Sequence, residues 1–153
     1  MVADITTNKH LISVGFIKAL QQSFGQEEAL RIAADGFANY MIEYYKLVLS
    51  ATAPKSQARF DKFRKHYLDY AGKTDYIKII NSKKDILEVR YDRCPFAELM
   101  TQYGLAAYAS AFCLSDKAFT EKVLPGVEFI RSHEIVKGDA FCDHAWIFNE
   151  GLN

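Results

Sequence analysis

The chain has 153 residues, 50% hydrophobic and 25% charged, the composition of a folded globule long enough to bury a core without staples. Nineteen basic residues balance nineteen acidic ones, which excludes a dominant phosphate-binding role, because nucleic-acid affinity comes mostly from basic contacts that release counterions. No apolar run approaches the roughly 18 residues needed to cross a bilayer, and the start, MVADITTNKH, lacks the apolar core of a signal peptide, so the expectation is a cytoplasmic protein with neither membrane nor nucleic acid as partner.

In chain order, Ile12, Phe16, Ala19, Leu20 and Phe24 recur at helical spacing and predict an amphipathic helix stopped at Gly25. A longer helix follows from about Gln26 to Leu49. Leu30, Ala33, Phe37, Tyr40, Tyr44 and Val48 form its stripe, which Met41 and Tyr45 widen. Pro54 closes it. Ser56 is placed to cap a third helix that buries Phe60, Phe63, Tyr67 and Tyr70 and ends at Gly72. Its other face carries Lys55, Arg59, Lys62, Arg64 and Lys65, which reads as an ordinary solvated face, with anion binding as the alternative.

From Tyr76 the period changes. Tyr76 to Ile80 and Ile86 to Tyr91 predict a β-hairpin around Asn81–Asp85, with Leu87, Val89 and Tyr91 on one face. Pro95 suits a first helical turn, making Cys94 an N-cap of a helix that Gly104 interrupts. An alanine-rich helix runs from Leu105 to about Leu114. A short one, Lys117 to Val123, is capped by Ser115 or Asp116. Val127 to Val136 and Ala140 to Phe148 then predict two strands joined by a turn at Lys137-Gly138-Asp139. The expected class is α+β: helices packed on a four-stranded antiparallel sheet made of two hairpins. The expected organisation is a single domain over 1–153, helical over 1–72 and hairpin–helix–hairpin over 73–153.

The chemistry-bearing residues cluster late. None of the three cysteines lies in the first 93 positions. An odd count in a reducing compartment points to thiols, ligands or nucleophiles rather than a disulfide framework. Cys94, at a helix N-terminus beside Arg93, is expected to have a lowered pKa. Cys113 and Asp116 share a face if one helix carries both. Cys142 and His144 project from one side of a strand, with Asp143 on the other, and Arg131 and His133 share a face of the strand before it. Apposed, those faces would bring Arg131, His133, Cys142 and His144 together. Cys94, Cys113, Cys142 and His144 also supply a Cys₃His donor set for a divalent metal such as zinc, without the close C-x-x-C pair that marks a strong zinc signature.

Arg93-Cys94-Pro95, Phe112-Cys113-x-x-Asp116, Pro125-Gly126 and Gly138-Asp139-x-x-Cys142-Asp143-His144, in that order, resemble the L-2-amino-thiazoline-4-carboxylic acid hydrolase family. The resemblance is close over the C-terminal half; the N-terminal half matches in length and helical character. Members often carry an aromatic residue where this chain has His144. The resemblance implies hydrolytic opening of a cyclic amidine to N-carbamoyl-cysteine: water or a thiolate adds to the carbon between nitrogen and sulfur, and a proton reaches the leaving group. Implied roles are attack or water activation by Cys94 or Cys142, with Cys113 in the same set. Proton transfer falls to Asp116, Asp139 or His144, and substrate binding to Arg93, Arg131 and His133. The expected partner is a small molecule bearing a carboxylate, and the near-neutral charge allows a homo-oligomer. The competing expectations are a ligand-sensing module resembling the vinyl-reductase and nitric-oxide-sensor group, and a metal-dependent hydrolase.

Overall fold

The computed structural model describes residues 5–151, so the opening stretch on which the lack of a leader was read lies partly outside the described residues. Six α-helices and four strands are described: α1 (Ile5–Phe24), α2 (Gln26–Val48), α3 (Gln57–Ala71), β1 (Ile77–Lys83), β2 (Ile86–Tyr91), α4 (Pro95–Gln102), α5 (Ala106–Cys113), α6 (Ser115–Val123), β3 (Val127–Ile130) and β4 (Cys142–Phe148). The sheet is antiparallel throughout, in the order β1-β2-β4-β3, and the class is α+β as expected. No described helix is long and apolar enough to cross a membrane.

Local chemistry sets most helix ends. Gly25 adopts φ 79° between α1 and α2, a left-handed turn that glycine enters without a Cβ clash. Ser56 Oγ accepts from Arg59 N at 3.1 Å, and Gly72 caps the far end of α3. At α6 the expectation of a Ser115 or Asp116 cap fails. Ser115 donates back to Phe112 O at 2.6 Å, and Leu114 stays right-handed, so α5 runs almost directly into α6.

The sheet is one-sided. β4 alternates strictly, with Cys142, His144, Trp146 and Phe148 buried and Asp143, Ala145 and Ile147 half-exposed. Leu87 and Val89 of β2 face the same way, against α3 and α6. The buried residues form two apolar cores. One joins Tyr45 of α2 and its C-cap Leu49, Phe60, Phe63 and Tyr67 of α3, Phe119 and Val123 of α6, and the sheet. The other joins Val14 and Ile17 of α1, Ala33 of α2, Phe96 and Met100 of α4, and Tyr108 of α5.

Three burial expectations are corrected. In α1 the inward residues are Val14 and Ile17, while Ile12, Phe16 and Phe24 face out, 58–67% exposed. That helix is apolar around much of its circumference, so periodicity does not select a face. Tyr40 of α2 is exposed, and Tyr70 of α3 is 46% exposed, its hydroxyl bonded to that of Tyr76 at 3.1 Å. On the basic face of α3, Lys62 and Lys65 are solvent-exposed as expected, while Arg59 is used by the fold. Arg59 reaches Val123 O at 2.7 Å, Thr52 O at 3.1 Å and Leu49 O at 3.2 Å, and Arg64 and Lys65 pair with Asp61 and Asp69.

The largest correction concerns the last hairpin. β3 ends at Ile130 rather than Val136, and residues 131–141 form a loop with a 3-10 turn at Ile135–Lys137. The cause is side-chain capture of the backbone. Ser132 N and His133 N donate to Asp143 Oδ1 at 2.8 and 2.6 Å, Glu134 N to Asp139 Oδ2 at 2.7 Å, and Ile135 N to Cys142 Sγ at 3.1 Å. Four successive N–H groups are thereby withdrawn from ladder pairing.

Candidate functional site

The seam between the two cores holds the polar cluster. Phe112 packs in one core and Phe119 in the other, so the α5–α6 junction between them carries Cys113 and Asp116 across the boundary. β2 and α4 do the same with Tyr91 and Cys94. The loop after β3 returns Arg131 to this seam.

Arg131 is the hub, its side chain only 8% exposed. Its Nη1 donates to Cys113 O at 3.0 Å and lies 3.3 Å from Asp116 Oδ2, its Nη2 lies 3.5 Å from Glu134 Oε2, and Phe129 lies beneath the guanidinium at 5.6 Å. The proximity of Cys113 to Asp116, expected from one helix face, thus comes from both ends of a helix junction meeting one arginine. His144 Nε2 stands 4.0 Å from the same Asp116 oxygen. Its imidazole sits among the rings of Tyr91, Phe129 and Trp146, with centroids 4.9–5.5 Å away, and its buried Nδ1 has no hydrogen-bond partner among the described residues. An imidazole therefore occupies an aromatic slot.

Burial controls the electrostatics. The Asp116 carboxyl is pushed up to about 7 by desolvation, against the pull of Arg131. His144 is driven down to about 3 by desolvation and then by the Arg131 charge, so the ring is neutral at physiological pH. All three thiols rise. Cys113 reaches about 12 because burial outweighs Arg131. Cys142 rises by burial although Ile135 N donates to its sulfur. Cys94 is the N-cap of α4, with Ala97 N donating to its Sγ at 3.4 Å, yet burial pushes its thiol up as well. The lowered pKa expected from the helix terminus is corrected: the N–H bonds are present, but desolvation is the larger effect. Arg93 does not assist, because it forks onto Glu98 at 2.6 and 3.0 Å.

Of the expected site residues, the fold gathers Cys113, Asp116, Arg131, Cys142 and His144, with Cys94 at the edge. Cys94 feels the charge of Cys142, and Cys113 feels both. It does not gather Arg93, Asp139 or His133. Asp139 holds the loop through Glu134 N. The expected common face of Arg131 and His133 is also corrected. Outside a strand the two diverge, and His133 Nδ1 pairs with Asp143 Oδ2 at 3.2 Å, on the side of β4 opposite His144. Sequence reading missed Glu134, Tyr67 and Tyr91. Tyr91 is the cross-strand partner of Cys142, a pairing that only the register of β2 on β4 reveals.

Among the described residues no group of three His, Cys, Asp or Glu side chains is arranged to hold a metal ion. Cys94, Cys113, Cys142 and His144 therefore do not form the ligand shell that a Cys₃His centre needs. Two surface grooves, of about 360 and 500 Å³, lie elsewhere, one lined by Gln21, Leu30 and Tyr108 and the other by Gln57, Lys84 and Phe148.

A family model described as L-2-amino-thiazoline-4-carboxylic acid hydrolase matches residues 6–146, so the likeness extends through the N-terminal helices as well as the cysteine motifs. No curated protein matches the chain. With nearly the whole length matched, the chain belongs to the L-2-amino-thiazoline-4-carboxylic acid hydrolase family, a family named for a hydrolase.

Proposed function

We propose that the chain hydrolyses a small cyclic amidine bearing a carboxylate, of the 2-aminothiazoline-4-carboxylate type, by adding water to the carbon between nitrogen and sulfur. The observation that carries this reading is the Asp116 carboxyl, enclosed between Arg131 and His144 and held near 7. A carboxyl at that value can take a proton and return it at neutral pH. The upward shift of all three thiols favours water activated by Asp116 over a resting thiolate as the attacking group.

Ionised Asp116 removes a proton from water as its oxygen bonds to the amidinium carbon, and the ring nitrogen takes the electron pair. The carbon–sulfur bond then breaks, and the proton held on Asp116 passes to sulfur. The added hydroxyl loses its proton to solvent, which balances the one the amidinium brought. Neutral His144 offers its unpartnered Nδ1 to an amidine N–H. Arg131 is the cation for the substrate carboxylate, which would compete with Asp116 and Glu134 for the guanidinium.

The test is release of free thiol from 2-aminothiazoline-4-carboxylate. Wild type should turn over, and Asp116→Asn should lose roughly 100-fold or more in kcat, the usual range for removing a general acid–base. Full activity in Asp116→Asn would sink the assignment. Cys94→Ser, Cys113→Ser and Cys142→Ser should each retain turnover; abolition in one of them would transfer the attack to that sulfur. Binding without turnover in wild type would leave the ligand-binding module.

A further inference from the structure

Tyr91 has no role in the reaction as written, yet its surroundings are unusual for a core tyrosine. It ends β2 opposite Cys142, on the sheet face shared with Val89 and Leu87. Its ring lies 4.9 Å from the His144 imidazole. Part of the residue reaches the surface, but the hydroxyl end is enclosed, close enough to Asp116, Cys94 and Cys142 to feel their charges. The hydroxyl is hydrogen-bonded to that of Tyr67, from α3.

Two hydroxyls carry two protons, and the bond between them uses one. The direction of the chain decides where the other goes. Tyr67 is packed against the rings of Phe63, Tyr70 and Trp146. The Trp146 N–H is a donor, already given to Thr120 Oγ1 at 3.1 Å. The acceptors at the seam lie on the Tyr91 side. A chain that runs from Tyr67 to Tyr91 puts the spare O–H on the side of those acceptors. Among the described residues the Tyr91 hydroxyl bonds to that of Tyr67, and the neighbouring His144 ring has an Nδ1 without a partner.

Resting on the reaction above, we propose that Tyr91 is a further catalytic residue whose hydroxyl donates a hydrogen bond to the ring sulfur of the bound thiazoline as the carbon–sulfur bond breaks, with Tyr67 as the positioning residue that fixes the direction of that donor. No proton is transferred from Tyr91. Its hydrogen bond strengthens as charge grows on sulfur, so the interaction is worth more in the transition state than in the bound substrate.

The experiment compares wild type, Tyr91→Phe and Tyr67→Phe in steady-state hydrolysis of 2-aminothiazoline-4-carboxylate and in the tyrosine near-ultraviolet difference spectrum on adding that compound. Tyr91→Phe keeps the ring and removes only the hydroxyl. Its kcat should fall roughly 10- to 100-fold, the scale of a hydrogen bond to a developing charge, with KM changed much less. Tyr67→Phe should show a smaller fall. The difference spectrum should persist in Tyr67→Phe and vanish in Tyr91→Phe. Unchanged kcat in folded Tyr91→Phe, or a loss confined to KM or thermal stability, overturns the donor role while leaving the hydrolase reading standing. A difference spectrum lost in Tyr91→Phe, with no turnover in wild type, retires the hydrolysis and keeps Tyr91 as a ligand donor. Neither turnover nor spectral change in wild type overturns both.

Discussion

Asp116 and His144 face one another across 4.0 Å with pKa shifts that oppose. Folded Asp116 holds its proton up to about 7, against an ordinary 3.8, so it adds stability as pH falls through 7 towards 3.8. Folded His144 refuses a proton until about 3, against an ordinary 6.5, so it subtracts stability as pH falls below 6.5. Between 3.8 and 6.5 the folded chain carries the proton on Asp116 and the unfolded chain carries it on His144, and the two effects cancel. Single substitutions should unmask them. Thermal melts at several pH values between 7 and 4 should show His144→Gln gaining stability relative to wild type on acidification and Asp116→Asn losing it. Parallel curves for all three proteins would contradict the burial of either group. The same ionisation sets an activity profile: kcat/KM should rise with pH through about 7, and Asp116→Asn should lose that limb.

At the scale of elements, Arg59 ties α3 to the end of α2 and to the end of α6 through Leu49 O, Thr52 O and Val123 O. Arg59→Met removes that donor from the three carbonyls, of which Leu49 O keeps Thr52 N and Oγ1, and should cost about 1–3 kcal/mol, read from the denaturant midpoint. Arg59→Lys should recover only part, because an ammonium lacks the fork that reaches three acceptors. Such ties are invisible in sequence, whereas helix ends are not. Gly25, the Ser56–Gly72 pair and Cys94-Pro95 act within a few residues of themselves, and each end falls where those residues put it. The expected β3 runs too far because its apolar pattern continues through Ile135 and Val136, while Asp139 in the expected turn and Asp143 after it take its backbone N–H groups. The candidate site was legible as residue types at Cys113, Asp116, Arg131 and His144. Glu134 and Tyr91 were not, since Arg131 selects the first and strand register the second.

For the whole molecule, α2 is the element that couples the parts. Ala33 lies in the second core, and Tyr45 and Leu49 lie in the first, so one continuous helix crosses the seam. Losing either core would strip one end of α2, and α5 and α6 cross with it. One cooperative transition is therefore expected, consistent with a single domain. Trp146, fully buried in the first core, reports that core by fluorescence, while far-ultraviolet ellipticity reports the helices of both. The two denaturation curves should superimpose; a helical phase that melts before Trp146 is exposed would separate the cores into independent units.

The loop that carries Arg131 is held by its main chain. Ser132, His133, Glu134 and Ile135 each lend an N–H to a side chain of Asp143, Asp139 or Cys142. The Gly-Asp-x-x-Cys-Asp run therefore works here as a set of pegs for another segment's backbone, and pegs are indifferent to the side chains of the cord wound on them. Ser132, exposed, is free to vary in identity so long as it keeps an N–H, which bars only proline. The residue that follows the arginine can thus be rewritten while the arginine stays where it is.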